Sequence, residues 1–213
     1  MQYNIRLSLL IAFILCSSDP AHSMRRTRKM VAEALASEQC SFDIKDVDSA
    51  RIDVLLAVED PNFYTHKGID MKTPGAGLTT ITQGLVKYFY FKKFKPGIAK
   101  IRQTFIARFR FDPKISKDDQ LTLFMNYAYL GNDNDGNEIR GFAFASNFYF
   151  GKDFHSLTEE EYLVLVAMLI NPNQYRVDRF PGKNAERVRR IESLLAGECD
   201  PYDWRDCALE GCK

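Results

Sequence analysis

The sequence predicts a mainly α fold, a single globular domain with irregular loops, on three observations. Apolar residues recur at three- and four-residue spacing in successive stretches, each bounded by capping residues, proline or glycine. No alternating run reads as a strand ladder, and no segment repeats another. The chain has 213 residues, 46% of them hydrophobic and 27% charged, which suits one packed domain with a small appendage and excludes a disordered or fibrous protein.

The elements follow in chain order. Arg6 precedes an apolar stretch, Leu7 to Cys16, of about ten residues, well short of the roughly 20 needed to span a bilayer as a helix. With Ala21-His22-Ser23 behind it as a small-x-small cleavage site, residues 1–23 read as a secretory signal peptide, or as an uncleaved anchor if no cleavage occurs. The domain then occupies 24–213. Asp48-Ser49 caps a helix over Ala50–Asp60, which carries Ile52, Leu55, Leu56 and Val58 inward. Thr79–Phe91 has helical spacing and stops at Lys95-Pro96-Gly97; Ile98–Phe111 resumes it and ends at Asp112-Pro113. Ser116 opens a helix over Gln120–Leu130, and a polar turn over Gly131–Gly136 follows. Gly141–Phe150 and Thr158–Ile170 are helical, the second with Glu161 at the capping-box position; Ala185–Leu195 is a last, basic helix.

Lys and Arg together number 29 against 28 Asp and Glu, a net charge of +1, which argues against nucleic acid as a partner. In an exported chain the four cysteines left after the leader, Cys40, Cys199, Cys207 and Cys212, are expected to form two disulfides, with the pairing open among three connectivities. Three of them lie in a Cys-rich tail that starts near residue 197. Tyr88-Phe89-Tyr90-Phe91-Lys92-Lys93-Phe94-Lys95 interleaves rings and ammoniums as a segment at a membrane surface does, and four consecutive aromatics cannot all face one core. The clusters Arg25–Lys29 and Arg187–Arg190 read as solvated faces.

Two segments carry chemistry. Glu59-Asp60-Pro61-Asn62-Phe63-Tyr64-Thr65-His66-Lys67-Gly68 follows an apolar helix directly. Pro61 ends that helix, so Glu59 sits where it opens into a loop, and partial desolvation there makes its carboxylate a better proton acceptor. Gly75 to Lys87 then offers glycine amides, threonine hydroxyls, Gln83 and a lysine together, a set suited to a phosphate or a sugar, and it lacks the Gly-Lys-Ser/Thr of a P-loop.

Together these segments resemble the peptidoglycan glycosyltransferase family, the lysozyme-like transglycosylase domain of monofunctional transglycosylases and bifunctional penicillin-binding proteins. Glu59, Asp60, Phe63, His66 and Gly68 match each fixed position of its Glu-Asp-x-x-Phe-x-x-His-x-Gly motif. Gly77 to Gly84 resembles Gly-Gly-Ser-Thr-Ile-Thr-Gln-Gln, and Leu123 to Gly131, Asn137 to Phe142 and Tyr149 to Lys152 resemble a later region. The resemblance runs from about Ile52 to Leu195.

It implies polymerisation of lipid II into a glycan strand, with Glu59 as general base on the acceptor 4-hydroxyl and undecaprenyl pyrophosphate as the leaving group. It also implies substrate-binding roles for Asp60, Phe63, His66, Thr80, Thr82, Gln83, Lys87, Lys100 and Arg102, with Asp60 and His66 organising the loop around Glu59. Some members of that family place a divalent cation, magnesium or manganese, at the pyrophosphate; no dedicated metal cage is visible in this sequence. The location implied is the periplasm or outer face of a bacterial inner membrane, with a penicillin-binding transpeptidase as a partner the family admits.

The sequence departs from the family in two places. Lys100-Ile101-Arg102-Gln103-Thr104 aligns with Arg-Lys-x-x-Glu but puts Thr104 where the second glutamate stands, or Gln103 in a slipped register. Only Ile69 to Ala76 separates the first two motifs, where the family has a helix. These losses leave a second function class open: a weak or silent module that binds glycan or lipid II for another synthase.

Overall fold

The computed structural model describes residues 20–212 apart from Leu78, with the side chains of 20–24 left undescribed. The signal-peptide expectation falls almost wholly on residues 1–19, outside that range. Helix α1, Pro20–Leu35, leads in. It tucks Thr27, Val31 and Ala34 inward while Arg25, Arg26, Arg28 and Lys29 face solvent. Helix α2, Ser49–Glu59, starts at Asp48, whose side chain accepts from the Ala50 N–H at 2.8 Å, and buries Leu55, Leu56 and Val58. Helix α3, Ile81–Tyr90, is opened by a reciprocal Thr80–Gln83 capping box. Helix α4, Ile98–Ile106, passes into a π turn over Ala107–Phe111.

Helix α5, Lys117–Tyr127, capped by Ser116, is the hub of the core: Leu121, Leu123 and Met125 are fully buried. Helices α6, Phe142–Phe150, α7, Glu159–Met168, α8, Pro172–Tyr175, and α9, Pro181–Leu195, complete the domain. The expected Thr158–Glu161 box opens α7. The mainly α class is as expected.

Several expectations are corrected. Strand β1, Tyr129–Asn132, pairs antiparallel with β2, Glu138–Arg140, where a helix end and a turn were expected. Strands of four and three residues are too short for alternation to register in the sequence, and side chains from the turn itself set the pairing. Asp133 accepts from the backbone N–H groups of Asp135 and Asn137, and its own N–H donates to the Asn137 carbonyl at 2.8 Å. Behind the hairpin Gly141, at φ +79°, lies against the Asn126 carbonyl, where a Cβ would come within 2.4 Å.

Among the described residues one disulfide forms, where two were expected. Cys199 joins Cys212, while Cys40 and Cys207 are free thiols, held by different parts of the fold. The Arg187–Arg190 cluster is solvated only at Arg189: Arg187 is 2% and Arg190 8% exposed. Both guanidiniums turn inward because carbonyls of the C-terminal tail, Cys207 and Ala208, accept from them.

The aromatic–lysine segment divides between the core and solvent. Phe89, Tyr90 and Phe91 pack part-buried against the core, and Tyr88 and Phe89 meet Tyr127 at 5.3 and 5.4 Å. Lys92, Lys93 and Lys95 are exposed. No helix among the described residues is long and apolar enough to cross a membrane.

Candidate active site

A cleft of about 1150 Å³ runs between the end of α2, the first turns of α3, the hairpin and the C-terminal tail. Glu59 lies in its wall at the last turn of α2. The helix ends there because the chain turns at Asp60, whose N–H still bonds the Leu56 carbonyl, and Pro61 cannot extend it. Burial pushes the Glu59 carboxyl up from its ordinary 4.5 to about 7; Arg187 opposes that rise and Asp60 adds to it.

Asp60 is fully buried and acts as a bracket. Both its oxygens accept from His66 Nε2, at 2.9 and 3.0 Å, and Oδ2 also accepts from the Ile81 N–H at 2.9 Å. His66 Nδ1 accepts from the Gly68 N–H at 3.0 Å, which leaves the proton on Nε2, facing Asp60. The motif-one loop is thereby tied to the start of α3. Thr80 strengthens the tie by donating to the Gly68 carbonyl at 2.9 Å.

Lys87 and Lys100 stand along the same wall. Lys100 donates to the Thr79 hydroxyl at 2.9 Å, and burial together with the Lys87 charge lowers its pKa to about 8. Exposed Lys87 and half-buried Lys100 thus put like charges together on this side of the cleft. Thr104 bonds both neighbours: it accepts from Gln83 Nε2 and donates to the Lys100 carbonyl, each at 2.9 Å. Gln103, 1% exposed, faces the core and donates to the Gln83 carbonyl at 2.6 Å. Gln103 is thus turned into the core, while Thr104 is the half-buried residue one turn after Lys100.

Of the residues singled out in the sequence, Glu59, Thr80 and Lys87 line the cleft. Lys100 reaches its Thr79 edge. Asp60 and His66 do not line it; they bond each other, and Asp60 bonds the start of α3. Phe63 and Thr82 are fully buried and do not line it: the Phe63 ring packs under Lys117 Nζ at 4.5 Å, and Thr82 donates to Gln120 Oε1 at 2.7 Å. Gln83 holds the capping box, and the Arg102 guanidinium lies 5.8 Å from the Phe91 ring.

Sequence reading missed Arg187 and the tail. Arg187 lines the cleft, donates to the Cys207 carbonyl at 2.9 Å, and is buried with Asn184 and Ile191. Positions 184, 187 and 191 form one i, i+3, i+7 stripe, the signal that could have separated Arg187 from its solvated neighbours. The carbonyls of Asp203 and Trp204 accept from the N–H groups of Gly75 and Gly77, at 2.9 and 2.7 Å. Gly77, at φ +66°, is pressed so close that an added Cβ would lie 2.4 Å from Cys207 Sγ.

The donor set does not fit a protein-built cation cage. No group of three His, Cys, Asp or Glu side chains converges among the described residues, and the wall beside Lys100 offers threonine hydroxyls instead of carboxylates.

The family model described as Transglycosylase matches residues 27–196. Penicillin-binding protein 1B of Escherichia coli (strain K12) is 35% identical over 157 residues, 68% of this chain and 18% of that protein. Penicillin-binding protein 1F of Bacillus subtilis (strain 168) is 31% identical over 178 residues, 78% of this chain and 24% of that one. Penicillin-binding protein 1A of Neisseria lactamica is 30% identical over 184 residues, covering 78% and 22%. The chain thus spans about a fifth of the length of these relatives.

Proposed function

Because the chain belongs to the transglycosylase family, we propose that it polymerises lipid II into peptidoglycan glycan strands, with Glu59 as the general base. The observation that carries this reading is a carboxyl raised to about 7 by burial in a cleft that Lys87 lines and Lys100 edges. Glu59 accepts the proton of the acceptor sugar's 4-hydroxyl as that oxygen attacks the anomeric carbon of the lipid-linked donor. The carbon–oxygen bond to pyrophosphate breaks with inversion, and undecaprenyl pyrophosphate leaves with the bonding pair. Lys87 and Lys100 meet the charge that develops on the departing phosphate. Asp60 and His66 hold the Glu59 loop on α3, so that base and cations keep their spacing through turnover.

A divalent cation at the pyrophosphate, magnesium or manganese, would add charge neutralisation there, and no step here is routed through it. The tyrosine, phenylalanine and lysine residues of 88–95 supply a surface for the membrane that carries the lipid substrate, and the setting is the periplasmic face of a bacterial inner membrane. A penicillin-binding transpeptidase is the partner that would crosslink the product.

The alternative, a silent module that holds lipid II or glycan for another synthase, is favoured by one observation: Thr104, one helical turn after Lys100, stands where the resembled motif has an acid. Incubation of purified protein with lipid II separates the two. Glycan polymer that falls by about 10²–10⁴ in rate with Glu59→Gln supports the enzyme. Binding of lipid II without polymer, with or without added membranes and metal, overturns it.

A further inference from the structure

We propose that Arg187, clamped by the disulfide-closed C-terminal tail, is a positioning residue for Glu59, which makes the tail a working part of the cleft. The inference rests on the reading of Glu59 as the base and assigns what holds that base in its charged, accepting form.

The tail bridges two walls of the cleft. On one side the Asp203 and Trp204 carbonyls take the N–H groups of Gly75 and Gly77, just before α3. On the other, the Cys207 carbonyl takes Arg187 Nη1 at 2.9 Å and the Ala208 carbonyl takes Arg190 Nη1 at 3.1 Å. Cys199–Cys212 closes the loop that presents these carbonyls.

The two arginines are treated differently. Arg190 has carboxylates, Glu186 and Glu210, for partners. Arg187 is 2% exposed and has no such ion pair among the described residues, although Nε of either arginine is buried without a hydrogen-bond partner. A buried guanidinium without a bonded carboxylate is costly. Its charge is instead felt by Glu59 across the cleft wall both residues line.

The other groups facing Glu59 do not replace it. Asp60 has the wrong sign. The Cys207 thiol, from the tail, is pushed up by burial and by Glu59 itself, and stays neutral at pH 7. Freed from the Cys207 carbonyl, the Arg187 guanidinium would keep only its place 5.8 Å from the Tyr175 ring among the described residues, and Glu59 would lose a fixed compensating cation.

The test reads Glu59 directly and needs no turnover. In full-length protein carrying 13C-labelled glutamate, the Glu59 carboxyl signal is assigned by its disappearance in Glu59→Gln, and its titration is followed by NMR. Arg187→Gln should raise the midpoint by about one pH unit, and Arg187→Lys by less. The double variant Cys199→Ser with Cys212→Ser should raise it in the same direction, and adding Arg187→Gln to that pair should raise it little further. Should the serine pair fail to fold, Gly77→Ala displaces Cys207 and should do the same.

An unchanged midpoint in Arg187→Gln overturns the proposal. So does a folded, tail-opened protein that titrates like wild type. A midpoint that moves in a protein making no glycan polymer upholds the positioning and removes the base role. Polymerisation with an unmoved midpoint does the reverse.

Discussion

At the Glu59 end of the cleft opposite charges are built in, whereas at the Lys87–Lys100 end like charges face each other. Asp60 brackets His66 and the Ile81 amide, and Arg187 offsets the burial of Glu59. Burial and the Lys87 charge instead depress Lys100, whose ammonium donates to the Thr79 hydroxyl and has no ion pair among the described residues. The first end is finished by the protein itself. The second is electrostatically incomplete, and an anionic ligand would complete it.

That contrast can be broken most severely at Asp60. Asp60→Ala strands the Ile81 N–H and His66 Nε2 in a fully buried place, so denaturant unfolding should show a loss of about 3–5 kcal/mol. A loss below about 1 kcal/mol would mean the bracket is dispensable.

Glu59 should behave in the opposite way. Its folded pKa, about 7, lies above its ordinary 4.5, so the folded state binds the proton more tightly. The stability this contributes is fully present below pH 4.5 and is lost as pH rises through 7. Glu59→Gln should therefore match wild type at pH 4 and exceed it at pH 8 by about 1–3 kcal/mol. Equal stability at both values would show that the carboxylate is not desolvated.

Smaller effects come from the cationic end. Thr104→Glu places an acid beside Lys100 and should raise polymerisation about tenfold, roughly 1.4 kcal/mol. Gln103→Glu buries its charge in the core and should destabilise without helping. A rate that rises with Gln103→Glu and not with Thr104→Glu would reverse the register. Lys100, near half-charged at pH 8, should take up about half a proton when inorganic pyrophosphate binds. Calorimetry in buffers of different ionisation enthalpy reads this, and no uptake would place the anion elsewhere.

The two ends were also unequally legible in the sequence. Pro61 after an apolar helix located Glu59 at a helix end because proline's missing N–H acts locally. Thr158 with Glu161 marked its helix start for the same reason, as a bond between residues three apart. The tail was opaque. Its bonds to Gly75, Gly77 and Arg187 join residues well over a hundred positions apart or on another element, and nothing local encodes them. The disulfide expectation failed on that same ground: four cysteines allowed two bridges, and the fold brings only Cys199 and Cys212 together. The short hairpin at Tyr129–Arg140 left no period to read.

The account rests on Glu59 accepting a proton near neutral pH, and the pH dependence of lipid II polymerisation under saturating substrate tests that most directly. The rate should rise tenfold per pH unit on the acidic side and level off near pH 7, where Glu59 ionises, and the sigmoid should vanish in the residual activity of Glu59→Gln. A flat profile through pH 7, or the same sigmoid in Glu59→Gln, would contradict it.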